Sequence, residues 1–476
     1  MTLGCQGWTR ALAFTLAGWA ALALAPPADL PMNPSERQIT RGPGGRILTN
    51  TGVWSPDGAW IVYDVRSDPA GERFDGDRIE QVHADTGRVQ TLYQAQQGAR
   101  CGVVTHHPSE PRVAFILGPQ NPTPDWQYSA FHRHGLIVDT SRPGTGMPFD
   151  ARDLVPPFTP GALRGGSHVH VWDPRGDWIS FTYEDALLAG FTDDTPEHDA
   201  NLRNVGVGAP GRPVRVSRDH PRNHDGEYFC VLATRTTANP APGSDDILRA
   251  CEEGWIGTEG YVRPDGTRQR RALAFQGHVV TPRGQTIAEV YLVDLPEDLS
   301  IPGDGPLPGT ATRRPAPPKG ARQRRLTRTA DRPHPGIQGP RHWLRASPDG
   351  TRIAFLMKDD AGVVQVWTVS PNGGSPVQVT HNPHPIASTF TWSPDGRWLA
   401  HVMDRSVCVT DASSGETRRL TPRCDEPESP RPEACVFSPD GRRIAFIRHR
   451  ASDGTAANQI CVVDWAPPTP VPRSVP

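Results

Sequence analysis

Trp392-Ser393-Pro394-Asp395-Gly396, running straight into Arg397-Trp398-Leu399-Ala400-His401-Val402-Met403, decides how this 476-residue chain is read. Pro394 presets its own φ for a turn, the Asp395 carboxylate accepts from backbone two residues on, and Gly396 tolerates the positive φ that closes a hairpin. The apolar run behind it is then a strand returning antiparallel to the one before. Close copies stand at Trp54-Ser55-Pro56-Asp57-Gly58, Ser347-Pro348-Asp349-Gly350 and Phe437-Ser438-Pro439-Asp440-Gly441, each followed by an apolar strand pattern. Trp172-Asp173-Pro174-Arg175-Gly176 and His107-Pro108-Ser109-Glu110 are weaker copies.

A third apolar run follows each hairpin, as at residues 364–369 and 459–464, and a fourth ends in Thr, as at 324–327, 377–380 and 418–421. Four short antiparallel strands make one blade of a propeller. Pro348 and Pro394 are 46 residues apart, and Pro394 and Pro439 are 45 apart, in keeping with a repeat of about 40–45 residues. Pro56 to Pro108 spans 52 and Pro108 to Pro174 spans 66, which puts an insertion at residues 118–135 of the second blade. The 174 residues from Pro174 to Pro348 read as two blades with long loops, residues 271–277 and 289–295 supplying the second and third strands of the fourth blade. Its inner strand stays open between 228–232 and 255–262. The count is seven, with eight blades as the alternative. The last blade lacks an outer strand, and Gln38-Ile39-Thr40 repeats that strand's pattern, so the two ends of the chain are predicted to pair and remove an open edge. The fold expected is an all-β, seven-bladed propeller over residues 37–464, closed by an N-terminal outer strand.

These hairpins and their Ile-Ala-Phe-type strands resemble the propeller repeats of TolB and its relatives across nearly all of residues 37–464. At finer grain, Gly165-Gly166-Ser167-His168-Val169-His170-Val171, Pro242-Gly243-Ser244-Asp245, Glu253-Gly254-Trp255 and Pro340-Arg341-His342-Trp343 resemble the YidR-like family of bacterial propellers, whose biochemical role is uncharacterised. More distantly, the architecture is similar to that of oligogalacturonate lyases. That likeness implies a manganese ion held by His and Gln side chains near the axis.

Six residues before each turn proline, on the innermost strand, stand Asn50, Gly102, His168, His342, Ser388 and Glu433, expected at one height around the channel. A strand repeats its facing every two residues, so His170 is expected beside His168. His168, His170, His342 and the Glu433 carboxylate form a candidate set for Mn²⁺, Fe²⁺ or Zn²⁺. The alternative is a wet polar channel that includes Asn50 and Ser388. His106 and His107 fall at the second turn, where bulk solvent is expected. His132 and His134, with Trp126 and Tyr128, lie in the second-blade insertion, read as a cap over one channel mouth. Glu184 and Asp185 read as solvated carboxylates.

A net charge of −2 with no long single-sign run disfavours nucleic acid as a partner. The eight cysteines show no Cys-x-x-Cys pair and read as buried thiols. Residues 206–211 match Gly-x-Gly-x-x-Gly in letters, but Pro210 forbids the helix of a dinucleotide site, and a turn is expected. No Gly-x-Ser-x-Gly elbow, P-loop or His-Glu-x-x-His motif occurs. Residues 11–25 have the length of a signal-peptide core and are too short to span a bilayer, which predicts a leader at 1–31 and a periplasmic or secreted protein. Translation from Met32 would give a cytoplasmic propeller instead. Residues 465–476 form a Pro-rich tail. Two functional classes remain: a monomeric binding scaffold for a protein, peptide or glycan, with no cofactor, and a metal-assisted lyase or hydrolase on an acidic oligosaccharide, with His132 or His134 as base.

Overall fold

The computed structural model describes residues 36–452 and 455–468; the leader and the Met32 start lie outside them, as does most of the Pro-rich tail. Seven four-stranded antiparallel sheets follow one another along the chain. Among the described residues there is no helix, hence none long and apolar enough to cross a membrane. The third blade runs outward from the axis as Gly165–Trp172, Ile179–Asp185, Asn204–Ala209 and Phe229–Leu232, and the fourth as Arg249–Trp255, Ala272–Val280, Thr286–Asp294 and Arg322–Arg325. The innermost strand of the fourth blade is thus neither 228–232 nor 255–262 but Arg249–Trp255: Phe229–Leu232 pairs with Asn204–Ala209 as the outer edge of the preceding blade, and Tyr261–Val262 pairs with Arg268–Gln269 in a separate hairpin. The letters Gly-x-Gly sit in a strand, not a turn: a Cβ on Gly206 or Gly208 would strike the Phe181 or Phe149 ring.

The turn chemistry repeats from blade to blade. Ser55, Ser347 and Ser438 Oγ each donate to the Asp two residues on at 2.5 Å, and the same bond joins Ser393 to Asp395. Each serine Oγ also accepts from the backbone N–H five residues later, at Trp60, Arg352, Trp398 and Arg443. The four glycines take φ of 67–71°, the left-handed region that glycine enters without penalty. In the third blade Asp173 stands where serine would, accepting from the Asp177 and Trp178 N–H groups. In the second blade His107 fills the role: its Nδ1 accepts from the Ser109 and Glu110 N–H groups and its Nε2–H donates to the Gly176 carbonyl at 2.8 Å. His106 and His107 are buried, which corrects the expectation of bulk solvent at that turn.

The core lies between blades rather than within one. Seven separate clusters of buried apolar side chains occur, one for each interface between neighbouring sheets. The cluster joining the last blade to the first brings Ile39, Trp54 and Ile61 against Val436, Ile447 and Val462. Above it, the Arg443 guanidinium lies 5.0 Å from the Trp54 ring and donates to the Gly58 carbonyl at 2.7 Å. All seven described cysteines are free, and all but Cys424 are buried.

Closure takes the form read from the sequence: Arg37–Gln38 pairs antiparallel with Thr455–Asp464, placing Arg37 opposite Val462 and Gln38 opposite Cys461. Thr40 Oγ1 donates to Gln459 Oε1 and accepts from the Ile460 N–H, both at 2.9 Å, while Gln459 Nε2 donates to the Gly42 carbonyl at 2.8 Å. Thr40→Val preserves shape but strands buried partners, and is expected to lower the unfolding free energy by about 1–3 kcal/mol. Urea denaturation measures this, and a wild-type midpoint in the variant would show that closure does not rest on these bonds.

Candidate functional site

Two cavities lie on the axis, one at each end of the inner strands. The narrow one, about 410 Å³, is ringed by the turn prolines, with Trp54, Trp172 and His106 on its wall. The wide one, about 830 Å³, opens where the inner strands begin. Asn50, His168 and Glu433 line the wide cavity as the count from the turn prolines predicts. In the other blades the count slips by one: Val103, Trp343 and Thr389 face the cavity in place of Gly102, His342 and Ser388. The fifth and sixth blades keep only Arg345–Ala346 and Thr391–Trp392 as regular inner strand. Six residues before the proline the ladder has already ended, and alternation by two no longer applies.

The four residues of the candidate metal set do not meet. His168 reaches the cavity, but Val169 takes a left-handed φ of 57° at a register shift, so His170 no longer shares its face. His170 is instead fully buried, its Nε2 2.9 Å from Ser167 Oγ and its ring edge-on to Phe149. His342 has both nitrogens committed: Nδ1–H donates to the Pro340 carbonyl at 2.9 Å, and Nε2 accepts from the Leu356 N–H at 3.0 Å. Glu433 accepts from Arg431 at 3.0 Å. Among the described residues no three His, Cys, Asp or Glu side chains are disposed to hold a metal ion. The imidazole that does face the cavity is held well below its ordinary pKa by burial and by the guanidiniums of Arg133, Arg203 and Arg341, a field that also repels a divalent cation. The residues present do not fit manganese.

Ser167 and His170 have the spacing of a nucleophile and its base, yet both are fully buried and Phe149 packs against the ring. The insertion of the second blade does reach the wide mouth, through Tyr128, Ala130 and Arg133 rather than through its histidines. His132 stacks on Trp126 with ring centroids 3.7 Å apart and donates from Nδ1 to the Gln127 carbonyl; His134 packs on His224. Neither lines the cavity, so neither serves as a base there. Glu184 and Asp185 are not solvated carboxylates: Glu184 pairs with Arg203, and Asp185 with the buried Arg164 at 2.5 Å.

The cavity's arginines, Arg66, Arg133, Arg203, Arg341 and Arg431, and its aromatic wall of Phe74, Tyr128 and Trp343 carry the site, although the sequence offered only Tyr128, as part of the capping insertion, and Arg341 and Trp343, as part of a family motif with no role attached. They come from different blades and mostly from connections, where no repeat marks them. Arg66 is oriented by Asp64, which accepts from its Nε at 2.9 Å and from the Val103 N–H at 3.0 Å. Val103 itself has φ of 58°, a conformation that costs a β-branched residue about 1–3 kcal/mol. Among the described residues, five buried polar atoms of the lining have no hydrogen-bond partner: Thr49 Oγ1, Arg133 Nε, Trp343 Nε1, Arg431 Nε and Glu433 Oε2. Buried groups of this kind are completed by water or by a ligand.

Seven four-stranded antiparallel sheets arranged around one axis, with a polar cavity at one axial mouth, define a seven-bladed β-propeller. The chain is 46% identical over 415 residues to the uncharacterized protein YidR of Escherichia coli (strain K12), covering 86% of this chain and 94% of the relative. It belongs to the YidR family. A family described as a protein of unknown function (DUF3748) matches residues 100–224, the second blade and most of the third. Among solved structures, an oligogalacturonate lyase in complex with manganese aligns with a TM-score of 0.52 at 12% identity, covering 92% of this chain and 95% of that one. TolB from Acinetobacter baumannii aligns with a TM-score of 0.35 at 14% identity, covering 86% and 81%.

Purified, dialysed protein is expected to hold no stoichiometric manganese, iron or zinc, and millimolar Mn²⁺ to leave its melting temperature unchanged. One metal per chain, lost in His168→Ala, would overturn the misfit. A second expectation concerns acid. Burial pushes His106, His342 and His401 down to about 4 and His170 and His224 to about 3, against about 6.5 in an unfolded chain. Between those values the unfolded chain binds more protons than the folded one, so stability falls as pH drops from about 6.5 toward 4. His134 and His168, held well below their ordinary values chiefly by burial, act in the same sense, while Asp150 and Glu253, raised by burial to about 6 and about 7, act in the opposite sense and offset part of the effect. The urea midpoint should therefore decline on acidification, by up to about 1.4 kcal/mol per pH unit for each net proton; a flat midpoint across this window would contradict the assignment.

Proposed function

We propose that this chain is a binding propeller that takes its ligand into the wide axial cavity and performs no covalent chemistry on it. The observation that carries the reading is the gathering of five unpartnered buried polar atoms beside an aromatic wall in one cavity of about 830 Å³. A volume of that order suits one small molecule, or the end of a peptide or glycan, in a pocket fixed by rigid strands. The burial of Ser167 and His170, the commitment of both His342 nitrogens and the removal of His132 and His134 from the cavity support binding over catalysis. The likeness to a lyase in complex with manganese is a likeness of fold; its metal has no counterpart set of ligands among the residues gathered here.

A thermal-shift panel of saccharides and short peptides, run on the wild type and on Trp343→Ala, tests the reading. At least one compound should raise the wild-type melting temperature, be recovered unaltered by NMR, and lose its effect in the variant. Compounds that act equally on both proteins bind elsewhere, and a compound recovered cleaved or isomerised would make the protein an enzyme.

A further inference from the structure

We propose that the ligand of the wide cavity is a small acidic polyol, a hydroxylated ring bearing one carboxylate or phosphate, anchored by Arg133. The proposal rests on the binding reading above and names its ligand class.

Charge pairing singles out the anchor. Four of the five lining arginines have a carboxylate of their own: Arg66 on Asp64 at 2.9 Å, Arg341 on Glu252 at 2.8 Å, Arg431 on Glu433 at 3.0 Å, and Arg203 on Glu184. Arg133 has no carboxylate within ion-pair distance among the described residues; the Glu184 charge, already paired with Arg203, reaches it only from farther off. Its one hydrogen bond runs from a terminal nitrogen to the Tyr128 hydroxyl at 3.3 Å, and its Nε is buried without a partner. A guanidinium stays protonated under any ordinary condition, so burying one without a counter-charge is unfavourable until an anion arrives. Arg203 and Arg341 strengthen the attraction, because both act with Arg133 on the same imidazole, His168. Each spends only part of its fork on its carboxylate; Arg341 is bound through Nε and its side chain is 60% exposed. A carboxylate or a phosphate is the group that planar, forked donors of this kind recognise.

The rest of the wall asks for hydroxyls and for a ring with an apolar C–H face. Thr49 Oγ1 both donates and accepts, Glu433 Oε2 accepts, and the Trp343 and Arg431 N–H groups donate, all unpartnered. Hydroxyl groups satisfy such a mixture because each one is donor and acceptor at once. Phe74 and Tyr128 stack with centroids 4.9 Å apart, and the Arg341 guanidinium lies 4.6 Å from the Trp343 ring. All three rings line the cavity, and an aromatic wall suits the apolar C–H face of a saturated ring whose edge is hydrogen-bonded.

Calorimetric titration of the full chain with glucuronate, glucose 6-phosphate and glucose tests the assignment. At least one acid should bind, and glucose at least tenfold more weakly. The better of the two acids identifies the anion as carboxylate or phosphate. Arg133→Gln should weaken the acid at least tenfold while melting no lower than the free wild type, since the substitution removes an uncompensated cation. Equal binding of glucose and the acids, or unchanged acid binding by Arg133→Gln, overturns the anionic ligand and leaves the binding reading standing, provided that binding is lost in Trp343→Ala. Binding of neither acid, with an acidic dipeptide such as acetyl-Asp-Asp-amide bound in an Arg133-dependent manner, overturns the polyol in favour of a peptide; binding of none of these probes overturns it outright. The comparison of acids with glucose uses wild-type protein alone, so it decides the question even if the variant fails to fold.

Discussion

The indole N–H of Trp54 donates to the Val436 carbonyl at 3.0 Å across 382 residues of sequence. That bond expresses the constraint on the whole molecule: a four-stranded sheet has two faces to bury and only neighbouring sheets to bury them against. Trp392 makes the same bond to Arg345 in the fifth blade, and Trp255 to Val171 in the third. Each latch ties a blade to the one before it, at the level of the turn that starts the second strand. Between the second and third blades the latch is built differently. There Thr105 Oγ1 donates to the His170 carbonyl at 2.6 Å and His107 Nε2–H donates to the Gly176 carbonyl at 2.8 Å.

Those latches explain why the architecture was legible from letters alone. Serine, proline, aspartate and glycine each serve the hairpin locally, within six residues, so the motif reports its own conformation. Spacing then counts the blades, and the missing outer strand of the last blade points to the N-terminal segment at 38–40, where the structure pairs Arg37–Gln38 with the last strand. Where the local signal lapses, so does the reading. Arg249–Trp255 carries no turn proline and was left unassigned. Val169 looks like an ordinary strand residue, yet it turns left-handed and sends His170 away from the channel. His342 and Ser388 lie where regular pairing has stopped, and their neighbours Trp343 and Thr389 reach the cavity in their place. Arg133 and Arg341 are contributed by connections, whose course depends on packing among blades rather than on any pattern within one.

The wide mouth differs from the rest of the ring in where it stores conformational strain. Val103, Val169 and Glu252 occupy equivalent positions on three successive inner strands, with φ of 58°, 57° and 53°. The two valines border the cavity, and Glu252 holds Arg341 beside it. Left-handed conformations at residues other than glycine persist only where surrounding structure enforces them, and here three adjacent blades enforce them at one end of the axis. The turn end is built from glycine-relaxed hairpins and interlocked indoles. The strained inner-strand residues thus gather at the wide end, and the glycine hairpins and indole latches at the other.

The two-residue strand Arg37–Gln38 completes a sheet whose other members are the last to be made. During synthesis the beginning of the propeller emerges early and finds no mate until residues 455–464 leave the ribosome, so a nascent chain lacking that final strand has a broken circle at whatever length it is halted. The waiting segment is short and begins with an arginine, features that make it a poor template for stray association in the meantime. A shortened product that loses the last strand also releases the first, unfastening both termini in a single event.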